Sequence, residues 1–238
     1  MTNPDGLSPL LIIGDHAGRG IPTGLGDLGL QPEAMDRHIA WDIGVAGLGE
    51  RLAAALDACF IRQTYSRLVI DCNRDPRTPD AAPAISDGTA IPANQGLTPT
   101  DLAARREAIC DPYQARIAQA LDTRGEQGRP TLIFSLHSFT PVFGGFARPW
   151  RFGVLHRGDS ALSLRVLALL REQLGEAAGD NQPYAMDGVD YTVPLHADAR
   201  GLDYLELEVR QDLIGDERGQ DETAAFLAPI LQAAVEPL

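Results

Sequence analysis

The sequence predicts an α/β fold of three layers, with helices on both faces of a mixed, mainly parallel central sheet. Short apolar runs with strand character alternate along the chain with segments whose apolar residues recur at helical spacing. That alternation is typical of βαβ units and a parallel sheet. No repeat, low-complexity tract or linker interrupts the 238 residues. We therefore expect residues 1–238 to form a single domain.

Four apolar runs are predicted to be core strands, and each leads into or contains polar side chains. They cover residues 9–14, 66–71, 131–136 and 204–209. The third run ends directly at His137. Because ligands of open α/β sheets bind at the carboxyl ends of the strands, we expect the functional site at these ends. Shorter strands are predicted at 59–63 and 151–155.

The first two helical segments follow from apolar periodicity. Residues 33–57 are predicted to form two helices, or one broken helix with Asp42 near the break. Residues 99–121 are predicted to form a further helix, with Thr98 or Thr100 as its N-cap.

The rest of the chain completes the alternation. Helical spacing predicts helices at 160–174 and 222–235, whereas 191–196 is predicted to be a short extended segment. Residues 74–97 show no periodicity, and loops of this length are usually functional or mobile.

The composition is that of an acidic globular protein. The net charge is −13, and all 20 basic residues are arginine. No basic stripe for a nucleic-acid partner is present, and no apolar run approaches the ~20 residues of a membrane span. Residues 2–6 lack the features of a signal peptide. Cys59, Cys72 and Cys110 are scattered without metal-binding spacing, which predicts reduced thiols in a cytoplasmic protein.

Two histidines stand at the ends of predicted strands. His16 follows the first strand, and the glycines at 18 and 20 allow the backbone to approach a ligand closely. His137 follows the third strand. A single histidine of this kind is more often a hydrogen-bonded loop residue, but two together favour a metal site. Hydrolytic zinc sites use three protein ligands, and the candidates for the third are Asp15, Asp42, Asp71, Glu206 and Glu208.

Charged side chains also lie inside the fourth strand. Since side chains alternate along a strand, Glu206, Glu208 and Arg210 share one face. On an edge strand that face would simply be solvated. In a buried strand the carboxylates need an arginine or a metal as a partner, and a carboxylate beside a metal-bound water is a usual general base.

Arginines near these strand ends are candidates for binding a carboxylate. Arg67 lies at the start of the second predicted strand, Arg74 follows that strand, and Asn73 adds an amide donor. Guanidinium groups hold carboxylates with two hydrogen bonds, although surface ion pairs are the alternative. Arg148, in a glycine-rich loop, and Arg210 are further candidates.

Six segments together resemble the N-formylglutamate amidohydrolase family. They cover residues 16–18, 37–42, 66–74, 136–141, 179–184 and 206–212, in order along nearly the whole chain. The resemblance implies the three-layer, hydrolase-like fold of the zinc carboxypeptidases and of the aspartoacylase and succinylglutamate desuccinylase group.

The resemblance also implies roles for residues. His16 and His137 look like the zinc-binding histidines, and Asn73 with Arg74 looks like the pair that binds the substrate carboxylate. Glu208 is the preferred match to the glutamate that activates water, and Glu206 is the alternative.

The chain departs from the related hydrolases at one ligand position. In those groups a zinc-binding glutamate stands three residues after the first histidine, where this chain has Arg19. Asp42 is therefore the preferred third ligand and Asp15 the second choice.

The expected function is zinc-dependent hydrolysis of a small N-acyl amino acid, typified by N-formyl-L-glutamate. Two alternatives stay open. One is hydrolysis of a different N-acyl amino acid or peptide, and the other is a carboxylate-binding protein that has lost the metal.

Overall fold

A computed structural model describes residues 1–186, 188 and 190–236 of the chain. Within them the strands are β1 (Leu10–Gly14), β2 (Cys59–Arg62), β3 (Ile85–Ser86), β4 (Thr89–Ala90), β5 (Leu132–Phe139), β6 (Val142–Phe143), β7 (Phe146–Ala147), β8 (Phe152–Leu155), β9 (Ala178–Asp180) and β10 (Tyr204–Arg210). The α-helices are α1 (Val45–Leu56), α2 (Pro99–Arg105), α3 (Asp111–Glu126), α4 (Ala161–Leu174), α5 (Thr192–Ala197) and α6 (Glu217–Val235).

Six strands form the central sheet in the order β2-β1-β5-β10-β8-β9. Neighbouring strands are parallel, except that β8 runs antiparallel to β10. The predicted mixed, mainly parallel sheet is confirmed. The short pairs β3–β4 and β6–β7 are separate hairpins.

Helices cover both faces of the sheet and complete the three layers. On β1, Leu10 and Ile12 pack into the apolar cluster that contains residues of α1, α4 and α6. The alternate residues Leu11 and Ile13 pack into a second cluster with residues of α3 and α5. Alternation along one strand thus supplies both halves of the core.

The same alternation decides which face carries the polar groups of β10. Leu205, Leu207 and Val209 belong to the first cluster, so Glu206 and Glu208 point to the opposite face. Both glutamates are buried. The strand is central, between β5 and β8, and the alternative of a solvated edge face does not apply.

The predicted strand at 66–71 is wrong, because this segment is a buried turn. The Val69 N–H donates to Ser66 O, which closes the turn. The carbonyls of Leu68 and Val69 would then be buried without a strand partner. The Asn94 amide donates to the Leu68 carbonyl at 2.9 Å, and the Arg105 guanidinium donates to the Val69 carbonyl at 2.8 Å. The apolar residues at 66–71 therefore indicate that the segment is buried, not that it forms a β-strand.

The extended segment predicted at 191–196 is also wrong, because it forms α5. The amide groups of Tyr191 and Thr192 donate to Asn73 Oδ1 at 3.0 and 2.9 Å. A side chain more than a hundred residues away thus satisfies the first donors of the helix, and Pro194 is tolerated in its first turn.

The long helical predictions are refined by the structure. Residues 33–57 contain a 3-10 turn, Pro32–Asp36, and then α1, and Asp42 lies in the break between them as predicted. The helix after Thr98 continues through a π-helical turn, Arg106–Cys110, into α3. Thr98 caps it through a reciprocal pair of hydrogen bonds with Asp101.

Several smaller features complete the comparison. Residues 74–97 hold only 3-10 turns and the hairpin β3–β4. The three cysteines are free and buried. Among the described helices none combines the length and apolarity that crossing a membrane requires. The single domain over 1–238 stays a prediction.

We predict that Gly18→Ala destabilises the protein by roughly 1–3 kcal/mol, the usual cost of overpacking. A Cβ at this position would lie 2.2 Å from the backbone carbonyl group of Thr64. The backbone of this glycine therefore approaches the backbone of Thr64 closely. Urea unfolding measures the effect.

Gly24→Ala is the matched control, because a Cβ there meets no heavy atom within 4 Å. It should change the unfolding free energy by less than about 0.5 kcal/mol. Equal effects of the two substitutions would contradict the steric argument.

Candidate active site

Polar side chains at the carboxyl ends of β1, β5 and β10 surround a cavity of about 410 Å³. The turn at 66–74 closes a further side. The lining residues are His16, His38, Asp42, Arg67, Asn73, Arg74, His137, Ser138, Phe139, Thr140, Leu155, Tyr184, Ala185, Asp190, Glu206 and Glu208. The cavity therefore gathers most of the residues that the sequence singled out.

His16 is buried two residues beyond β1. Its Nε2 lies 2.6 Å from Asp71 Oδ1, and this carboxylate holds a proton on that nitrogen. Its Nδ1 lies 3.6 Å from Asp42 Oδ2. Among the described residues Nδ1 has no hydrogen-bond partner. The ring thus presents one nitrogen to the cavity while the other is anchored.

His137 is also buried, and both of its ring nitrogens have hydrogen-bond partners. Its Nδ1 lies 3.0 Å from Asp42 Oδ2, and its Nε2 lies 3.0 Å from Ser135 Oγ. The centroids of the His16 and His137 rings are 5.1 Å apart. Both histidines therefore turn Nδ1 toward one oxygen of one aspartate.

Asp42 lies just before α1, and the chain holds it against His16. The Asp42 N–H donates to His16 O at 2.8 Å, and the Ser138 N–H donates to Asp42 Oδ2 at 3.2 Å. Ligand atoms of His16, Asp42 and His137 all lie within 4.8 Å of one another. The structure thus brings the three predicted ligands together, whereas Asp15 lies outside this group.

Arg67 supplies the positive charge beside these carboxylates. Its guanidinium lies 2.7 Å from Asp71 Oδ2 and 3.4 Å from Asp42 Oδ1. Burial alone would raise the pKa values of Asp71 and Asp42, but nearby positive charges lower both. Arg67 and His16 hold the pKa of Asp71 well below its ordinary range. His16 and His137 lower the pKa of Asp42. Arg67 also lines the cavity, but its guanidinium is already engaged by protein carboxylates.

The neighbouring aspartates raise the pKa values of His16 and His137. Burial alone would lower the pKa of His137, but the hydrogen bond and charge of Asp42 outweigh it and raise the pKa to about 10. The pKa of His16 is also raised, because Asp71 and Asp42 outweigh burial and Arg67. Since metal-ligating histidine must be neutral, a cation bound here would displace protons.

Glu206 and Glu208 form the carboxylate side of the cavity. Burial raises the pKa of Glu206 to about 8 and that of Glu208 to about 7. One oxygen of each has no hydrogen-bond partner among the described residues. Glu208 lies opposite His137 in the pairing of β10 with β5. A buried carboxylate with a pKa near neutrality is suited to accept a proton from water.

Asn73 and Arg74 line the cavity directly after the turn. The Asn73 amide oxygen accepts from the start of α5, so its nitrogen is turned to Asp190 at 3.4 Å. Arg74 Nη1 lies 3.3 Å from Asn73 O. The structure thus places both members of the predicted pair at the cavity.

The other two predicted arginines are placed differently. Arg148 is buried, donates to Thr140 and packs over the rings of Phe143 and Tyr184 at 5.0 and 4.9 Å. Arg210 forms an ion pair with Asp212 at 2.7 Å and not with a glutamate of its own strand. Neither arginine belongs to the lining given above.

Sequence reasoning missed several lining residues. His38 lies in a recognised segment but was not selected, and its imidazole lies 3.6 Å from Asp87. Asp190 carries no sequence signal, since it stands alone in a turn-rich loop. Tyr184 ends the recognised segment 179–184, but no role in the site was assigned to it. Tyr184 and Asp190 come from a segment without periodicity, where sequence patterns do not predict the direction of a side chain.

The donor set fits a divalent cation such as zinc. Two imidazole nitrogens and one carboxylate oxygen are a usual catalytic zinc set. Anchoring of the second ring nitrogen, here by Asp71 and Ser135, is typical of metal-ligating histidines. Arg19, the residue three positions after His16, is exposed and paired with Asp36, so it does not reach the metal ligands. In this chain Asp42 is the carboxylate whose oxygen lies within 4.8 Å of a ligand nitrogen of both histidines.

The fold and this cavity define an α/β enzyme of the hydrolase class. The chain belongs to the N-formylglutamate amidohydrolase family, whose model matches residues 8–215. As a member of that family it is a hydrolase that acts on amide bonds. Comparison with curated proteins gave no match.

Two solved structures are similar to the chain. The crystal structure of a gene product from Agrobacterium tumefaciens is 35% identical, with a TM-score of 0.94 over 99% of this chain and 93% of its own. N-formylglutamate amidohydrolase from Ralstonia eutropha is 20% identical, with a TM-score of 0.68 over 98% of this chain and 96% of its own. The second likeness supports the fold.

We predict that Glu206→Gln stabilises the metal-free protein more at pH 8 than at pH 5. Burial raises the pKa of Glu206 from its ordinary 4.5 to about 8. As the pH rises through this window, the unfolded chain releases the proton while the folded protein keeps it, so wild-type stability falls. Glutamine does not ionise and avoids this loss, which amounts to roughly 1–4 kcal/mol.

Urea unfolding of both proteins at the two pH values, in the presence of a chelator, measures the difference. A stability difference that is the same at pH 5 and pH 8 would show that Glu206 ionises normally in the fold.

Proposed function

We propose that the protein is a zinc-dependent amidohydrolase of N-acyl amino acids, typified by hydrolysis of N-formyl-L-glutamate to formate and L-glutamate. One observation carries the proposal. A single cavity holds the buried set of His16, Asp42 and His137 together with buried Glu208 and with Arg74. The reaction needs ligands for a catalytic metal, a general base, and a cation that binds the substrate carboxylate.

His16, Asp42 and His137 would hold the metal. When bound, zinc polarises the amide carbonyl and lowers the pKa of a water to about 7. The anchoring of each histidine by a second partner keeps the ligand nitrogens directed into the cavity.

Glu208 is the proposed general base. It would accept the proton of the attacking water and deliver it to the nitrogen of the leaving amino acid. Its burial and raised pKa support this role, because a base near neutrality can both take and return a proton. Glu206 lies on the same strand face and is the alternative.

Arg74 and Asn73 are proposed to bind the substrate carboxylate. A guanidinium beside an amide donor suits a carboxylate. Arg67 lines the cavity but is engaged by Asp42 and Asp71. A direct contact of Arg148 or Arg210 with substrate would require the side chain to move, so the support for these two is weaker.

The remaining parts of the proposal concern the whole protein. A small-molecule substrate follows from the size of the cavity, which is in the usual range for ligand pockets. The free, buried cysteines support a cytoplasmic location. The two apolar clusters that pack on opposite faces of one sheet support a single domain.

We predict that zinc-loaded protein releases formate from N-formyl-L-glutamate and that His137→Ala abolishes stoichiometric zinc binding and turnover. Elemental analysis and a formate assay measure the two effects. His156→Ala is the matched control, because His156 also faces a carboxylate, Asp180, at 3.0 Å but lies outside the cavity. It should keep zinc and activity.

A panel of N-acyl amino acids decides the substrate class. Turnover of a different member with none of N-formyl-L-glutamate would replace the proposed substrate and keep the mechanism. Wild-type protein that binds no zinc at micromolar concentration would remove the metal from the proposal.

We predict that Glu208→Gln keeps zinc binding and lowers kcat by about 10²–10⁴, the usual contribution of general acid–base catalysis. Glutamine has nearly the same shape but cannot take the proton. Steady-state kinetics with parallel zinc analysis measure the effect, and Glu206→Gln is the matched comparison. Loss of metal in the Glu208 variant would make this residue a ligand, and loss of turnover only in the Glu206 variant would exchange the two roles.

A further inference from the structure

A second pocket, of about 250 Å³, lies away from the proposed active site. Its lining includes Leu11 and Cys59, which are paired near the amino ends of the parallel strands β1 and β2. The proposed catalytic residues lie at the carboxyl ends of the strands. The two cavities are therefore at opposite edges of the sheet, and none of the residues given for one lines the other.

Three arginines line this second pocket, namely Arg116, Arg124 and Arg129. Arg116 and Arg124 lie about two turns apart on one side of α3, and Arg129 follows the end of that helix. Arg124 is buried, Arg129 is half-buried and Arg116 is exposed. The pocket therefore has guanidinium groups both in its buried part and at its surface.

Contacts with one backbone segment hold two of these guanidinium groups side by side. Arg124 Nη2 donates to Ser8 O, and Arg129 Nη2 donates to Gly6 O at 2.5 Å. The Arg129 N–H also donates to Arg124 O at 2.9 Å. Burial lowers the pKa of Arg124, and the charge of Arg129 lowers it further. Two like charges are thus held close together.

Carboxylates do not neutralise these arginines directly. Most arginines of the chain form an ion pair with Asp or Glu, but within the described ranges none of these three does. Asp5 is the acidic residue of the lining and pairs with none of them. Asp57, outside the lining, already accepts from Asn3 and Leu7. The end of α3 adds only about half a negative charge.

The guanidinium groups also keep unused donors. The Nε and Nη2 atoms of Arg124 donate to Thr131 Oγ1 and Ser8 O, whereas its Nη1 has no partner in the described part of the chain. Arg129 uses only Nη2 there. Because an unpaired donor on a buried group is costly, an anion that accepts from both arginines would be bound favourably.

The lining indicates which kind of anion fits. A phosphate group has three or more acceptor oxygens and can bind several guanidinium groups at once, whereas a carboxylate has two. Arg116 is held by Gln119 Oε1 at 2.7 Å, and the Thr123 hydroxyl and the Gln127 amide add neutral donors to the lining. The pocket is smaller than the usual range for drug-sized ligands, so its occupant is small.

We propose that this pocket binds a phosphate group, either as inorganic phosphate or as the monoester of a small molecule, through Arg124, Arg129 and Arg116. The bound anion would connect α3 with the segment at residues 4–8, because both contribute to the pocket or hold its arginines. The inference is independent of the proposed hydrolytic function, since the two sites share no residue given for their linings.

The test is isothermal titration of metal-free protein with inorganic phosphate and, separately, with glycerol 2-phosphate, in a chloride buffer of low ionic strength. Two or more charge-assisted hydrogen bonds predict a Kd of about 1 mM or tighter. Arg129→Gln removes the charge and the guanidinium fork, and it should weaken binding by about 10-fold or more. The ligand with the lower Kd shows whether the group is bound free or as a monoester.

Arg165→Gln is the matched control. Arg165 is also half-buried and also donates to a backbone carbonyl, Ala233 O, at 3.2 Å, but it lies outside the pocket. This variant should bind phosphate within about 3-fold of wild type, because it loses the same charge at a remote position. Arg74→Gln addresses the active site, the other place where an anion could bind, and should leave intact the binding that Arg129→Gln weakens.

Wild-type protein that binds neither ligand at about 10 mM would overturn the inference. Equal affinities of wild type and Arg129→Gln would also overturn it, as would loss of binding in Arg74→Gln alone. If Arg129→Gln does not fold, Arg116→Gln decides, because its exposed side chain tolerates substitution and should weaken binding by about 10-fold. Unchanged affinity in that variant would overturn the inference. The proposed hydrolase is untouched by any of these results, since the titrations use no metal and no substrate.

Discussion

The site depends on one buried carboxylate, Asp42, shared between two histidines. Burying an unpaired charge is costly, and removing one partner of a buried pair leaves that cost uncompensated. Here His16 and His137 face Asp42, and the guanidinium of Arg67 spans Asp42 and Asp71, so each of these five groups has an oppositely charged neighbour. The segments that carry these groups are thereby tied to one another.

This electrostatic pairing explains why irregular backbone is tolerated in the core. The turn at 66–71 brings Arg67 and Asp71 beside the first histidine, which a continuous strand would not do. Its buried carbonyls are satisfied by Asn94 and Arg105 from later segments. Side chains thus replace the hydrogen bonds that a sheet would have provided, and the loop between β2 and α2 becomes part of the site.

The strands β5 and β10 were predictable from the sequence. Continuous apolar residues identified β5, and strict alternation in β10 placed both glutamates on one face. The segments that were misread, 66–71 and 191–196, have apolar or β-branched residues whose backbone hydrogen bonds go to distant side chains. Local sequence patterns do not identify such distant partners. In these segments the composition therefore predicted burial correctly but predicted the wrong backbone conformation.

By itself, the sequence determined the layers, the face of each strand and the residue types available for chemistry, because period and composition are local properties. Tertiary structure decided which of five carboxylates lies between the histidines. It also decided that Arg67 is engaged by aspartates, that Arg210 pairs with Asp212, and that Asp190 reaches the cavity. These outcomes depend on distances of a few ångströms between segments far apart in the chain, and only packing of the whole fold sets such distances.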